Sequence, residues 1–200
     1  MKVMDSSGMY RHFGWPGGWK ALAVAGVIIM LSAGCEVFRG PDRTGEFQLS
    51  SQLFGSDSYY LFGYKYEDSD FYRYPFRSEP VPDIINEAFR VIQGGEVGLL
   101  PGFNTPSQVN GFALLGEFRS LEEADEFYRS YLTVQDDLQY ETVSDTVELY
   151  QVWIQKTTAN NYVKMLIKDI ATMTGETGSM FNEVTIEYTY QPDGSRTFSD

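Results

Sequence analysis

The chain opens on an unbroken apolar run at residues 21–31 (ALAVAGVIIML). At about 1.5 Å rise per residue it covers roughly half of a ~30 Å hydrocarbon core, too little to span a bilayer. From Phe47 onward apolar and polar positions alternate instead. Phe47, Leu49, Ser51 and Leu53 interleave with Gln48, Ser50 and Gln52, the period of a half-buried strand. Residues 59–67 (YYLFGYKYE) put Tyr60, Phe62, Tyr64 and Tyr66 on one strand face, and residues 71–76 offer another short aromatic strand. Turns are expected at 55–58 and 68–70. Residues 83–93 stay open between helix and strand. Ile85, Phe89 and Ile92 keep helical spacing, yet the run is short and ends in Gly94-Gly95. Residues 99–108 (LLPGFNTPSQ) read as a turn-rich loop. Residues 110–118 read as a strand with Phe112, Leu114, Gly116 and Phe118 on one face.

Residues 120–132 (SLEEADEFYRSYL) predict a helix. Ser120 can cap it, Glu123 completes a capping box, and the acidic first turns suit the helix dipole. Asp125 and Arg129 are spaced to pair, and Leu121, Ala124, Phe127 or Tyr128, and Tyr131 form the expected buried stripe. Beyond it the pattern is β again. Residues 146–157 alternate, with Val147, Leu149 and Trp153 on one side and Tyr150, Val152 and Ile154 on the other. A hairpin turn at 158–161 leads to 162–170, with Val163, Met165 and Ile167 inward and Lys164 and Lys168 outward. A glycine-containing loop at 172–180 precedes 181–191, where Val184, Ile186, Tyr188 and Tyr190 share a face. Pro192-Asp193-Gly194-Ser195 is a tight turn. The expected fold is mainly β, an antiparallel meander of sandwich-like or barrel-like form, with one α-helix near 120–132.

Lys2, Arg11 and Lys20 precede the apolar run, with Asp5 the one acid before it. A positive start, a short apolar stretch and small residues at its end make an export signal. Ser32-Ala33-Gly34-Cys35 resembles the lipobox of bacterial lipoproteins, although Ser32 stands where that family favours Leu. The resemblance implies removal of residues 1–34, a diacylglycerol on Cys35 and a protein held at a membrane by its acyl chains. Residues 35–46 (CEVFRGPDRTGE) would be a tether, and 47–200 a single β-rich domain. Glu36 follows the cysteine where inner-membrane retention in many Gram-negative bacteria uses Asp, which points to the outer membrane. Cys35 is the sole cysteine, so no disulfide within the chain is available. Acylation also removes a thiol that would be a liability in an oxidising compartment.

Charge and composition narrow the function further. The chain carries 15 Lys and Arg against 28 Asp and Glu. The first 34 residues hold three of the bases and one of the acids, so the remainder has 12 against 27, a formal charge of −15. Such a surface repels phosphate backbones, and nucleic acid is not an expected partner. The single histidine, His12, lies in the leader. Past it, Ser-His-Asp and Cys-His catalysis, the usual zinc sites and bis-histidine haem ligation lack their residues. No resident cofactor and no metal are expected.

Aromatic residues number 27 from Cys35 onward, which makes a stacking surface conceivable. Tyr60, Tyr64, Tyr66, Tyr72 and Tyr74, beside Tyr59, are the candidate ligand-binding residues, able to stack on sugars or other planar ligands. The competing reading gives half of them to the core. Glu67, Asp68 and Asp70 gather carboxylates in one turn without the spacing of a calcium loop. The hairpin around Val152-Trp153 and Tyr162-Val163-Lys164-Met165, followed by residues 184–188 and 190–195, resembles the final strands of HmuY-like lipoproteins of the Bacteroidetes type. That resemblance implies an all-β domain on a lipid anchor, in a family that takes up haem. The family's haem-ligating histidines have no counterpart here, so no site residue carries over. The functional expectation is a non-catalytic ligand-binding or assembly module of the cell envelope, whose partner is a glycan, a haem-like molecule or a protein. The alternative is a carboxylate-dependent, glycan-acting hydrolase.

Overall fold

The computed structural model describes residues 43–198 except 77, 94, 95, 108 and 110. The leader, Cys35 and most of the tether lie outside the described residues. The described residues fall in one compact unit. Its strands are β1 (Thr44–Ser50), β2 (Leu61–Lys65), β3 (Asp70–Tyr74), β4 (Ile85–Gln93), β5 (Glu96–Asn104), β6 (Gly111–Glu117), β7 (Val143–Thr146), β8 (Gln151–Lys156), β9 (Tyr162–Thr174) and β10 (Met180–Gln191); α1 (Leu121–Ser130) lies between β6 and β7. Among the described residues the fold is mainly β with antiparallel sheets and a single helix.

Three sheets share the strands: β1-β10-β9-β8-β6, β2-β3, and β4-β5-β7. One face of the five-stranded sheet supplies Phe47, Leu49, Trp153, Val163, Met165, Ile167, Val184, Ile186, Tyr188 and Tyr190 to the main core. The smaller sheets and their connections close over it with Tyr64, Tyr66, Ile84, Phe103 and Val147. On the opposite face α1 lays Ala124 and Tyr128 against Val152 and Leu166. The segments flanking α1 and the chain's end add Val134 and Phe198 against Ile154 and Tyr162. The layers therefore run helix, large sheet, small sheets. Covered on both faces, β8 and the first half of β9 are buried almost without interruption.

Several elements depart from the sequence reading. Residues 83–93 resolve as strand β4; Ile92, at 74% exposure, shows that the helical spacing marked no buried stripe. The loop expected at 99–108 is largely β5, which pairs with β4 along its length and with β7 from Gly102 onward. Pro101 is tolerated because the β7 ladder starts one residue later, and its carbonyl accepts from Val147 N at 2.9 Å. The strand expected over 146–157 is two strands in different sheets. Tyr150 takes a left-handed backbone, φ 66°, as the chain crosses between them, and this leaves Leu149 exposed.

In β6 a bulge between Leu114 and Gly116 breaks the single face drawn through Phe112, Leu114, Gly116 and Phe118. Phe112 is buried, Leu114 is exposed, and Leu115 turns to the helix side. Strand β1 starts at Thr44, inside the expected tether, because Thr44, Gly45 and Glu46 pair with Thr189, Tyr188 and Glu187 of β10. At its far end Leu53 falls past the strand and is exposed. The 172–180 loop shrinks as β9 and β10 pair out to Thr174 and Met180. Lys168 does face out, to Glu46 (2.7 Å) and Glu187 (3.2 Å). Lys164 does not: α1 covers that face of the sheet.

Leu121, expected in the buried stripe of the helix, is exposed, and Ala124 and Tyr128 are the helix residues that are buried; the helix start, the Asp125–Arg129 pair and the later turns follow the reading. Ser120 Oγ accepts from Glu123 N at 3.3 Å, and the Glu123 carboxylate accepts from Arg119 N at 3.2 Å. Arg129 meets Asp125 at 2.8 Å. Asn160 turns the β8–β9 hairpin with φ 61°, and Gly194 sits at φ 72° in the last turn.

Candidate functional site

The tyrosine stripe divides between core and surface. Tyr64 and Tyr66 are buried in the main core. Tyr64 stacks on Phe47 with centroids 4.0 Å apart, and its hydroxyl lies 3.0 Å from that of Tyr188. Tyr66 Oη donates to Met165 Sδ at 3.2 Å, and burial, helped by the Asp83 carboxylate, pushes the phenol well above its usual range. These two positions are corrected from ligand-binding candidates to core residues: β2 runs from the surface into the space between the sheets. Tyr60, Tyr72 and Tyr74 remain half-buried. Tyr60 joins a surface cluster, 5.8 Å from Phe54 and 5.7 Å from Phe62, with the Arg73 guanidinium 5.8 Å over its ring. Arg73 itself pairs with Glu79. In the acidic turn Lys65 holds Glu67 at 2.8 Å and Asp68 at 3.0 Å, so those carboxylates are ion-paired.

Two larger cavities lie at opposite ends of the β1–β10 pair. The one at the Thr44 end encloses about 520 Å³ and is lined by Arg43, Tyr128, Arg129, Lys164, Thr189 and Gln191 among others. Its concentration of positive charge has a structural cause. The Lys164 ammonium, 3% exposed, donates to the carbonyls of Tyr128 (2.5 Å) and Tyr131 (2.9 Å), where α1 ends. The end of a helix presents unsatisfied carbonyls and partial negative charge, which a cation offsets. The same ammonium lies 4.4 Å from the Tyr128 ring centroid and 5.1 Å from that of Phe198. Lys164 thus fastens the helix to the sheet.

The cavity at the other end is a half-open cleft of about 420 Å³ between the 51–60 connection, the start of β4, the middle of β5 and the start of β10. Leu53, Leu61, Leu99, Met180 and Phe181 give it apolar walls; Ser51, Gln52 and Ser179 add neutral polar groups. Among the described residues Glu87 is the one carboxylate on its lining, and it accepts from Asn104 Nδ2 at 3.0 Å. Asn86, fully buried, lines the cleft from β4. Its Nδ2 donates to Leu49 O (3.1 Å) and Asn182 O (3.3 Å), while its Oδ1 has no partner among the described residues. A buried acceptor left unmatched costs about 1–3 kcal/mol. The sequence reading missed this cleft. Its one available signal was Asn86 itself, a small amide among the apolar residues of 84–92.

The cleft can enclose a small molecule, with the unmatched Asn86 oxygen buried beside it; among the described residues its lining holds no second carboxylate beside Glu87. No family model matches the chain, and no curated protein matches it.

Proposed function

We propose that the chain is a bacterial cell-envelope lipoprotein, acylated on Cys35, whose folded part is a non-catalytic ligand-binding module. The observation that carries the binding-module reading is the half-open, mostly apolar cleft of about 420 Å³. Strand β1 begins at Thr44, nine residues past Cys35, and runs antiparallel to β10, so that the cleft lies at the opposite end of this strand pair from the end where the chain leads in. Glu36 after the cysteine favours the outer membrane.

Fractionation tests the anchor. The wild-type chain is expected in the membrane pellet and Cys35→Ala in the soluble fraction, with mass spectrometry finding acylated Cys35 as the first residue. A Cys35→Ala chain that stays in the pellet, or a bare cysteine behind an intact leader, overturns the reading. Crosslinking in native membranes then identifies what the anchored protein touches.

A further inference from the structure

The cleft sets a fully buried amide oxygen behind walls that are mostly apolar, and that pairing selects a ligand. We infer that it binds an uncharged amphipathic molecule, an apolar body carrying one N–H or O–H donor, with the donor received by Asn86 Oδ1. The inference rests on the reading of the domain as a binding module and names the class of ligand for it.

Three features carry the assignment. Both protons of the Asn86 amide are spent, on Leu49 O and Asn182 O, which fixes the amide's orientation and leaves an acceptor for the ligand. An acceptor in that position favours a molecule with a donor over an isostere without one. The walls formed by Leu53, Leu61, Leu99, Met180 and Phe181 suit an aliphatic or otherwise apolar body. Charge is disfavoured at the floor, since an ion would be stripped of water beside a neutral amide, while the one ionisable wall residue, Glu87, already receives the Asn104 amide. An anion would further meet the strongly acidic domain. Because Asn86 is fully buried, seating the donor requires side chains of the cleft's lining to shift.

The test titrates the ¹⁵N-labelled full chain, as Cys35→Ala, with N-octylacetamide and with N-methyl-N-octylacetamide, which lacks the donor. Saturable shifts are expected at the amides of Leu53, Ala88, Leu99 and Met180, with the donor-bearing compound binding about tenfold more tightly. Leu53→Ala should weaken both compounds alike, and Asn86→Leu should abolish the difference between them. Should Asn86→Leu fail to fold, the wild-type comparison decides alone. Absence of saturable shifts at these residues, equal affinities, or tighter binding of octylammonium than of the acetamide overturns the inference. Its failure is separable from failure of the anchor, because fractionation reads Cys35 and the titration reads the cleft in a chain without the anchor.

Discussion

Asp83 Oδ2 accepts the amide N–H of Tyr66 at 3.1 Å, and burial pushes its carboxyl up from 3.8 to about 6 against the opposing pull of that hydrogen bond and of Lys65. Below pH 3.8 the group is protonated whether the chain is folded or not, and it costs nothing. As pH rises from 3.8 to about 6 the unfolded chain gives up this proton while the folded chain holds it, so stability falls across that window and levels off above it; a shift of about two units corresponds to roughly 3 kcal/mol. Asp83→Asn keeps an oxygen for Tyr66 N and removes the ionisation. It is expected to be about 1–3 kcal/mol more stable than wild type at pH 7 and level with it at pH 3.5, as read by urea unfolding at the two pH values. Lys164 behaves differently, since two helix-end carbonyls depend on its ammonium. Lys164→Met fills similar space but strands those acceptors, and a loss of about 2–4 kcal/mol is expected in the same measurement.

At the scale of elements, what was legible followed from local chemistry. Ser120, Glu123, Asp125 and Arg129 describe a helix by themselves, and the structure contains it with those contacts. The faces of β10 and the start of β9 were legible because one buried face imposes a period of two. The errors arose where a distant strand decides. Pro101 and Gly102 look like a loop until β4 and β7 flank them, and Leu115 becomes a bulge through its register against β8. Lys164 reads as a surface residue until a helix some 35 positions earlier lies over it. The cleft was unreadable for the same reason: Ser51, Asn86, Leu99 and Met180 come from four separated stretches. The contact between Gly111 and Glu141 is another of this kind. A Cβ at Gly111 would stand 2.0 Å from the Glu141 carbonyl oxygen, a backbone atom, next to the Phe112–Glu141 bridge. Gly111→Ala is expected to cost about 1–3 kcal/mol and to speed hydrogen exchange at Phe112 and Glu141.

For the whole molecule, the acidic balance acts on folding as well as on the choice of partner. A formal charge of −15 beyond residue 34 makes the compact state repel itself. The ion pairs that salt would weaken, such as Arg129–Asp125 and Lys168–Glu46, are surface pairs worth about 0–1 kcal/mol each. Screening should therefore help more than it harms. Raising NaCl from about 20 mM to 0.5 M is expected to raise Tm by a few degrees in calorimetry, and a fall in Tm would show that the ion pairs outweigh the repulsion.

The antiparallel pairing of β1 with β10 also has a mechanical meaning. A load entering through Thr44 and resisted by something gripped in the cleft would pull β1 lengthwise against its neighbour. All seven residue pairs, from Thr44–Thr189 to Ser50–Glu183, would then carry the tension in parallel, as in a lap joint, where a peeling pull would break them one at a time. In that geometry the β1–β10 pairing would yield at a higher load than the same seven pairs peeled from one end.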